Sequence, residues 1–138
     1  MKNEFDNKTV WITGASAGIG EALAYEFAKR GARLVLSARN ESELQRVAAA
    51  CAGQGYLVQP LDLGDHGSLP GIVQSVLSKI GQVDVLVNNG GISQRSLAKD
   101  TQLEVYKKLL VINLLGTIAL TNALLPHFIE RKSGHYVV

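Results

Sequence analysis

Two rhythms of hydrophobic residues alternate along this chain. Thr9-Val10-Trp11-Ile12 and Leu34-Val35-Leu36 are short apolar runs, and the Val83–Val87 stretch is a third. Runs of this kind, rich in β-branched residues, predict strands buried on both faces of a parallel sheet. Between them the apolar residues recur at helical spacing. Ile19, Leu23 and Phe27 share one face; so do Leu44, Val47, Ala48 and Cys51; Leu69, Ile72, Val73, Val76, Leu77 and Ile80 trace a third stripe. The pattern predicts strands at Lys8–Thr13, Arg33–Ala38, Gly55–Leu61, Val83–Val87 and His135–Val138, with helices between them. The first helix runs from Gly18 to Arg30, and Gly31 and Gly81 stand where helix-ending glycines belong. Asn40 is placed to cap the second helix, with Glu43 as its reciprocal partner. Thr101-Gln102-Leu103-Glu104 has the form of a capping box opening a long fourth helix to about Arg131.

Strands alternating with helices predict a parallel sheet with right-handed crossovers and helices on both faces. The expected architecture is a Rossmann-like, doubly wound α/β fold, strand order 3-2-1-4-5, as one domain over residues 1–138 that stops after its fifth strand. In such sheets a ligand lies at the carboxyl ends of the strands, near the switch in strand order. The glycine-rich turn after the first strand, Arg39, Asp62 and Asn88–Gly91 all follow strands, so the pattern gathers them on that edge.

Composition narrows the function classes. With 46% hydrophobic and 19% charged residues, the chain can build a packed core and lacks the signature of disorder. Net charge is +2 with no polybasic block, and the Lys107-Lys108 and Arg131-Lys132 pairs read as solvated helix faces, so no nucleic-acid partner is expected. The single cysteine, Cys51, cannot form an internal disulfide, which fits a reducing, cytoplasmic setting; its helical face makes it a small core residue. No metal site is expected. The Met1–Asp6 start is polar and lacks the apolar core of a signal peptide. Leu109–Pro126 carries no charge, but Asn113, Gly116, Thr117, Thr121 and Asn122 interrupt it, and it is short for a ~20-residue span. It reads as a helix buried on more than one side, not as a membrane span.

The candidate chemistry begins at Thr13-Gly14-Ala15-Ser16-Ala17-Gly18-Ile19-Gly20. A glycine-rich turn between strand and helix presents backbone N–H groups and the positive helix end to a phosphate. Gly14 allows the tight turn, Gly18 a close approach of backbone to pyrophosphate, and Gly20 close packing of helix on strand. A dinucleotide cofactor follows. About 20 residues beyond the glycines, where an acid would hold the ribose hydroxyls, this chain has Ala38-Arg39, and no carboxylate appears before Glu41. An arginine there can meet a 2′-phosphate in a bidentate pair, which predicts NADP rather than NAD. Asp62 is placed either to accept a bond from an adenine amino group or simply to shape the turn before Gly64-Asp65. Asn88-Asn89-Gly90-Gly91 ends the fourth strand, where asparagines bond neighbouring backbone and glycines let a flat ligand approach.

These motifs, in this order, resemble the short-chain dehydrogenases/reductases from Lys8 onward. Thr13–Gly20 is similar to their Thr-Gly-x-x-x-Gly-x-Gly cofactor turn, which implies cofactor contacts at Gly14, Ser16, Ala17, Gly18, Ile19 and Gly20. Asp62-Leu63 resembles their adenine-contacting pair. Asn88–Gly91 resembles their Asn-Asn-Ala-Gly motif, with Gly90 replacing alanine, and implies contacts at Asn89, Gly90 and Gly91. Asn113, followed by Gly116, sits where the family keeps the asparagine of its catalytic tetrad. The Ser93–Leu97 stretch further resembles a branch related to mammalian carbonyl, steroid and retinoid reductases. The resemblance implies hydride transfer between a nicotinamide and a small carbonyl or alcohol substrate. Tyrosine would be the general acid/base, lysine would lower its pKa, serine would hold the substrate oxygen, and asparagine would help order a water. It also implies a homodimer or homotetramer built on the long helix and the next one. The family's catalytic serine and Tyr-x-x-x-Lys are expected beyond Val138. Tyr25 and Lys29 match the bare spacing, but lie on the first helix, away from the expected cleft. These 138 residues are therefore expected to supply cofactor binding without proton chemistry. A non-catalytic nucleotide-binding module and a truncated, inactive fragment stay open as alternatives.

Overall fold

The computed structural model describes residues 3–51, 53 and 55–138. Five strands, β1 (Thr9–Thr13), β2 (Arg33–Ser37), β3 (Tyr56–Val58), β4 (Val85–Val87) and β5 (His135–Val137), pair in parallel in the order β3-β2-β1-β4-β5. This is the expected Rossmann-like order. Helices α1 (Gly18–Lys29) and α2 (Glu41–Ala50) cover one face of the sheet. The other face carries α3 (Leu69–Ile80) and α5 (Thr117–Arg131). α5 is the final part of one continuous helix, Leu103–Arg131. That helix begins as α4 (Leu103–Leu109) and passes through a π-helical stretch, Leu110–Gly116.

The unbroken apolar runs have a direct cause: β1 is buried at all five positions and feeds two cores. Val10 and Ile12 pack with Leu34, Leu36, Ala24, Ala28, Leu44 and Val47. Trp11 points the other way, into Val35, Leu86, Leu69, Val73, Leu120 and Leu124. Its indole N–H donates to Ser37 Oγ (2.9 Å), and that hydroxyl donates to the Gln59 carbonyl (2.6 Å), so no polar atom of this pair is buried unpaired.

Several local expectations are corrected. In α1 the buried face is Gly20, Ala24 and Ala28, whereas Ile19 is 73% exposed. Small residues let the helix axis approach the sheet, and this rotates Ile19 outward. The third strand is shorter than Gly55–Leu61, although Gln59 and Leu61 still donate to β2-side carbonyls on either side of Pro60, which has no N–H to give. Asn40 caps α2, its Oδ1 accepting the Glu43 N–H (3.3 Å), but Glu43 turns to Arg46 instead of reciprocating. The Thr101 capping box does not form. Gln102 is the N-cap, and the Thr101 hydroxyl donates to the Leu97 carbonyl (2.9 Å). The long helix is not buried on several sides. Leu120, Leu124 and Phe128 face the core, while Leu110, Leu114, Ile118 and Ile129 are exposed. By length and composition it is long and apolar enough to cross a membrane, which weighs weakly against the expectation of no span; its inner stripe is packed on α3 and the sheet.

The amino-terminal edge of the sheet is fastened by charge. Buried Asp84 accepts the Thr9 N–H (2.8 Å) and pairs with Arg131 (2.8 Å), whose other arm donates to the Val83 carbonyl (2.7 Å). Burial opposes the charge on Asp84, but the Thr9 N–H and the guanidinium overcome it and hold its pKa below the ordinary carboxylate value. Beside them His127 Nε2 accepts the Val83 N–H (3.1 Å), which requires an unprotonated nitrogen. Burial, followed by the Arg131 charge, lowers the His127 pKa.

Just below the ordinary histidine pKa of about 6.5, the unfolded chain therefore binds more protons at His127 than the native one. The stability tied to the neutral ring is complete above that value and is lost as pH falls through it. Urea unfolding is expected to show a lower midpoint at about pH 5.5 than at about pH 7.5, with the gap narrowed in His127→Gln.

Candidate functional site

The turn after β1 is shaped by two residues at positive φ, Gly14 (65°) and Gly18 (58°). At Gly14 a side chain is excluded twice over, since a Cβ would lie 2.9 Å from both Asn89 Nδ2 and Gly90 Cα. At Gly20 a Cβ would collide with the Gly14 carbonyl oxygen, so helix and turn touch backbone to backbone. α1 starts at Gly18 with Ala17 as N-cap, and no cap side chain bonds its first-turn amides. The space over Gly18 is open. The positive end of α1 thus faces an opening with its backbone donors uncapped.

The far wall is clamped to this turn. Thr13 Oγ1 accepts the N–H of Asn89 (3.1 Å) and of Gly90 (2.8 Å). The Asn89 amide returns two bonds, to the Thr13 carbonyl (3.2 Å) and the Gly14 carbonyl (3.3 Å). One cleft results, lined by Gly14, Ser16, Arg39, Asp62, Leu63, Gly90 and Gly91, with Ile92 and Ile112 at its end. Ala17, Gly18 and Ile19 stand exposed on the turn, while Gly20 and Asn89 act from behind the wall. Arg39 is exposed on the wall, with no hydrogen bond or ion pair among the described residues. Asp62 does shape its turn, accepting the Gly64 N–H (2.8 Å).

Asn113 lies within the π-helical stretch and grips Ile92 in both directions: its Oδ1 accepts the Ile92 N–H and its Nδ2 donates to the Ile92 carbonyl, both at 2.8 Å. Its own carbonyl accepts the Thr117 hydroxyl (2.9 Å). The side chain therefore fixes the loop after Gly91 to the long helix. Tyr25, which matches the bare spacing, and Tyr136, near the carboxyl end, are both bonded outside the cleft. Tyr25 donates to Glu21 Oε1 (2.6 Å) on α1, and Tyr136 donates to the Thr121 carbonyl (3.0 Å) under α5, where burial raises its pKa.

Sequence reasoning missed Arg46. Its guanidinium pairs with both oxygens of Glu21 (2.8 and 3.1 Å), with Glu43 (2.8 Å) and with the Ser16 carbonyl (3.3 Å). Only the Glu43–Arg46 spacing is a readable helical pair. The Arg46 guanidinium, then the Tyr25 hydroxyl, brings the Glu21 pKa down to about 2.

Residues 8–138 match the short chain dehydrogenase family. The chain belongs to the short-chain dehydrogenase family. Over 97% of its length it is 53% identical to Dehydrogenase/reductase SDR family member 7 of Homo sapiens, 41% of which it covers. It therefore spans about two-fifths of the length of the curated relatives it matches. Among solved structures, a metagenomic short-chain oxidoreductase in complex with NADP superposes with a TM-score of 0.89 at 31% identity, over 96% of this chain and 61% of that one. The 3-ketoacyl-(acyl-carrier-protein) reductase from Brucella melitensis, complexed with NADH, gives 0.85 at 35% identity, over 91% and 52%.

One wall residue, Gly90, departs from the Asn-Asn-Ala-Gly motif that the sequence resembles. A Cβ at Gly90 would meet the mobile end of Leu63 at 2.9 Å and Thr13 Oγ1 at 3.1 Å. Leu63 can turn aside, whereas the backbone facing Gly20 cannot. Gly90→Ala is expected to change stability by less than about 1 kcal/mol, and Gly20→Ala to cost roughly 1–3 kcal/mol, as read by urea unfolding.

Proposed function

We propose that this chain is the cofactor-binding portion of an NADP-dependent oxidoreductase acting on a small carbonyl or alcohol substrate. The observation that carries the reading is the uncapped amino end of α1, opening through a glycine turn into the cleft beside the β1–β4 switch in strand order. The donor set fits a dinucleotide. The Gly14, Ser16, Ala17, Gly18, Ile19 and Gly20 turn would hold the pyrophosphate, Asp62 and Leu63 the adenine, and Asn89, Gly90 and Gly91 the wall beside the flat ring. When bound, a nicotinamide supplies or accepts hydride at the substrate carbon. Asn113 stands at the tetrad position, but its side-chain amide is bonded at both ends to Ile92, so it would act there by fixing the Ile92 loop beside that wall and not by holding a water with its side chain. Arg39 is the discriminating residue: exposed at the cleft and unpaired among the described residues, it has its guanidinium available for a 2′-phosphate.

A charge-assisted bond of roughly 1.5–3 kcal/mol corresponds to about tenfold or more in affinity. Calorimetric titration is expected to show tighter binding of NADPH than NADH, with the ratio collapsing in Arg39→Ala. Equal affinities, or an unchanged ratio, would overturn the NADP assignment.

On the same reading these 138 residues alone do not reduce carbonyls. The two tyrosines placed nearest the motif by spacing or position, Tyr25 and Tyr136, are bonded outside the cleft. Loss of general acid assistance alone removes a factor of about 10²–10⁴. NADPH oxidation with a panel of aldehydes and ketones is expected to stay at background. Turnover at ordinary enzyme rates would contradict this and direct mutagenesis to Asn113 and Tyr136.

A further inference from the structure

The amino end of α1 carries an acidic residue as well as its open amides. Glu21 lies in the first helical turn, its N–H bonded to the Ala17 carbonyl (3.3 Å). An ionised carboxylate here complements the helix dipole, and for the same reason competes with any other anion brought to that end. The Ser16 carbonyl adds a second negative atom on the rim of the turn. Both are answered by one side chain from a different helix. Arg46 of α2 takes Glu21 through two bonds and reaches the Ser16 carbonyl with the same terminal nitrogen that contacts Glu21 Oε2. Its Nε–H donates to Glu43, whose backbone N–H enters the Asn40 cap beside Arg39. The guanidinium thus joins the turn wall of the cleft to the Ala38–Asn40 wall. About half of the Arg46 side chain is exposed, and ion pairs that open to water contribute little to folding. Stability alone does not account for a residue with four acceptors around it.

We infer that Arg46 is a positioning residue for cofactor binding: it neutralises Glu21 and occupies the Ser16 carbonyl, leaving the amino end of α1 open to the phosphates of a dinucleotide. The inference rests on the reading of the cleft as a nicotinamide dinucleotide site. Because the phosphates are shared by both cofactors, Arg46 acts on NADPH and NADH alike, unlike Arg39.

The test is calorimetric titration of the 138-residue chain with NADPH and with NADH, alongside thermal melting of each variant. Arg46→Ala is expected to weaken both by roughly three- to tenfold, with their ratio kept. The double variant Glu21→Gln/Arg46→Ala is expected to recover most of that loss, since no carboxylate remains to be neutralised, and Arg46→Lys to fall between. A merely structural role would lower the melting temperature without rescue by Glu21→Gln, and that result overturns the inference. So does unchanged affinity in a folded Arg46→Ala chain. A folded wild-type chain that binds neither cofactor would instead overturn the functional reading itself.

Discussion

Everything at the cleft depends on the contact between the Gly14–Gly20 backbone and the end of β4. Asn89 and Gly90 leave no room for a methyl group on Gly14, the Gly14 carbonyl leaves none on Gly20, and Asn89 reaches across to both the Thr13 and Gly14 carbonyls. This closure fixes the direction in which α1 leaves the sheet, and so the direction in which its first amides point. It also explains why the buried face of α1 is small. A larger residue at position 24 or 28 would lift the helix and open the turn; alanine at both keeps the axis close to β1 and β2.

The long helix answers a different constraint. Its inner stripe of Leu120, Leu124 and Phe128 completes the second core, and Gly116 presses so near the Leu63 carbonyl that no side chain fits between them. Between that stripe and the Asn113–Ile92 bonds the helix winding changes. The change is a π-helical stretch that contains Asn113, a device often found where a helix carries a functional group. The outward face, Leu110, Leu114, Ile118 and Ile129, is left apolar.

The strands were readable because burial on both faces writes a strand as an unbroken apolar run, as in Val10–Ile12 and Leu34–Leu36, whereas their order came with the dinucleotide-binding fold that the motifs imply. The cofactor-type turn was readable because positive φ and close approach leave glycine as the residue that fits. The Thr101 box failed for a local reason: the helix starts one residue later, with Gln102 at its cap, and behind the short helical turn Ala98–Asp100 the Thr101 hydroxyl turns back to donate to the Leu97 carbonyl. The π turn was illegible because Leu109–Ile112 is apolar at every position, so no rhythm shows where the winding changes. The Glu21–Arg46 pair was illegible for a third reason. Its partners sit on different helices, and exposed charges carry no periodic signal until the helices are packed.

The two edges of the sheet divide the work. At the amino edge Asp84, Arg131, Val83, Thr9 and His127 bond one another, so the polar groups there are spent on holding β1, β4 and α5 together. At the carboxyl edge the bonds among Thr13, Asn89 and Gly90 fix the walls but leave the α1 amides and the Arg39 guanidinium facing open space. Unspent donors around a cleft are costly unless something charged and oxygen-rich enters it or water remains there. Their cost is tolerable because this edge lies at the surface, where water fills in until a ligand displaces it. A fold whose stabilising charges are concentrated at one end can therefore keep the other end chemically available, and the parallel sheet enforces this division by pointing every strand the same way.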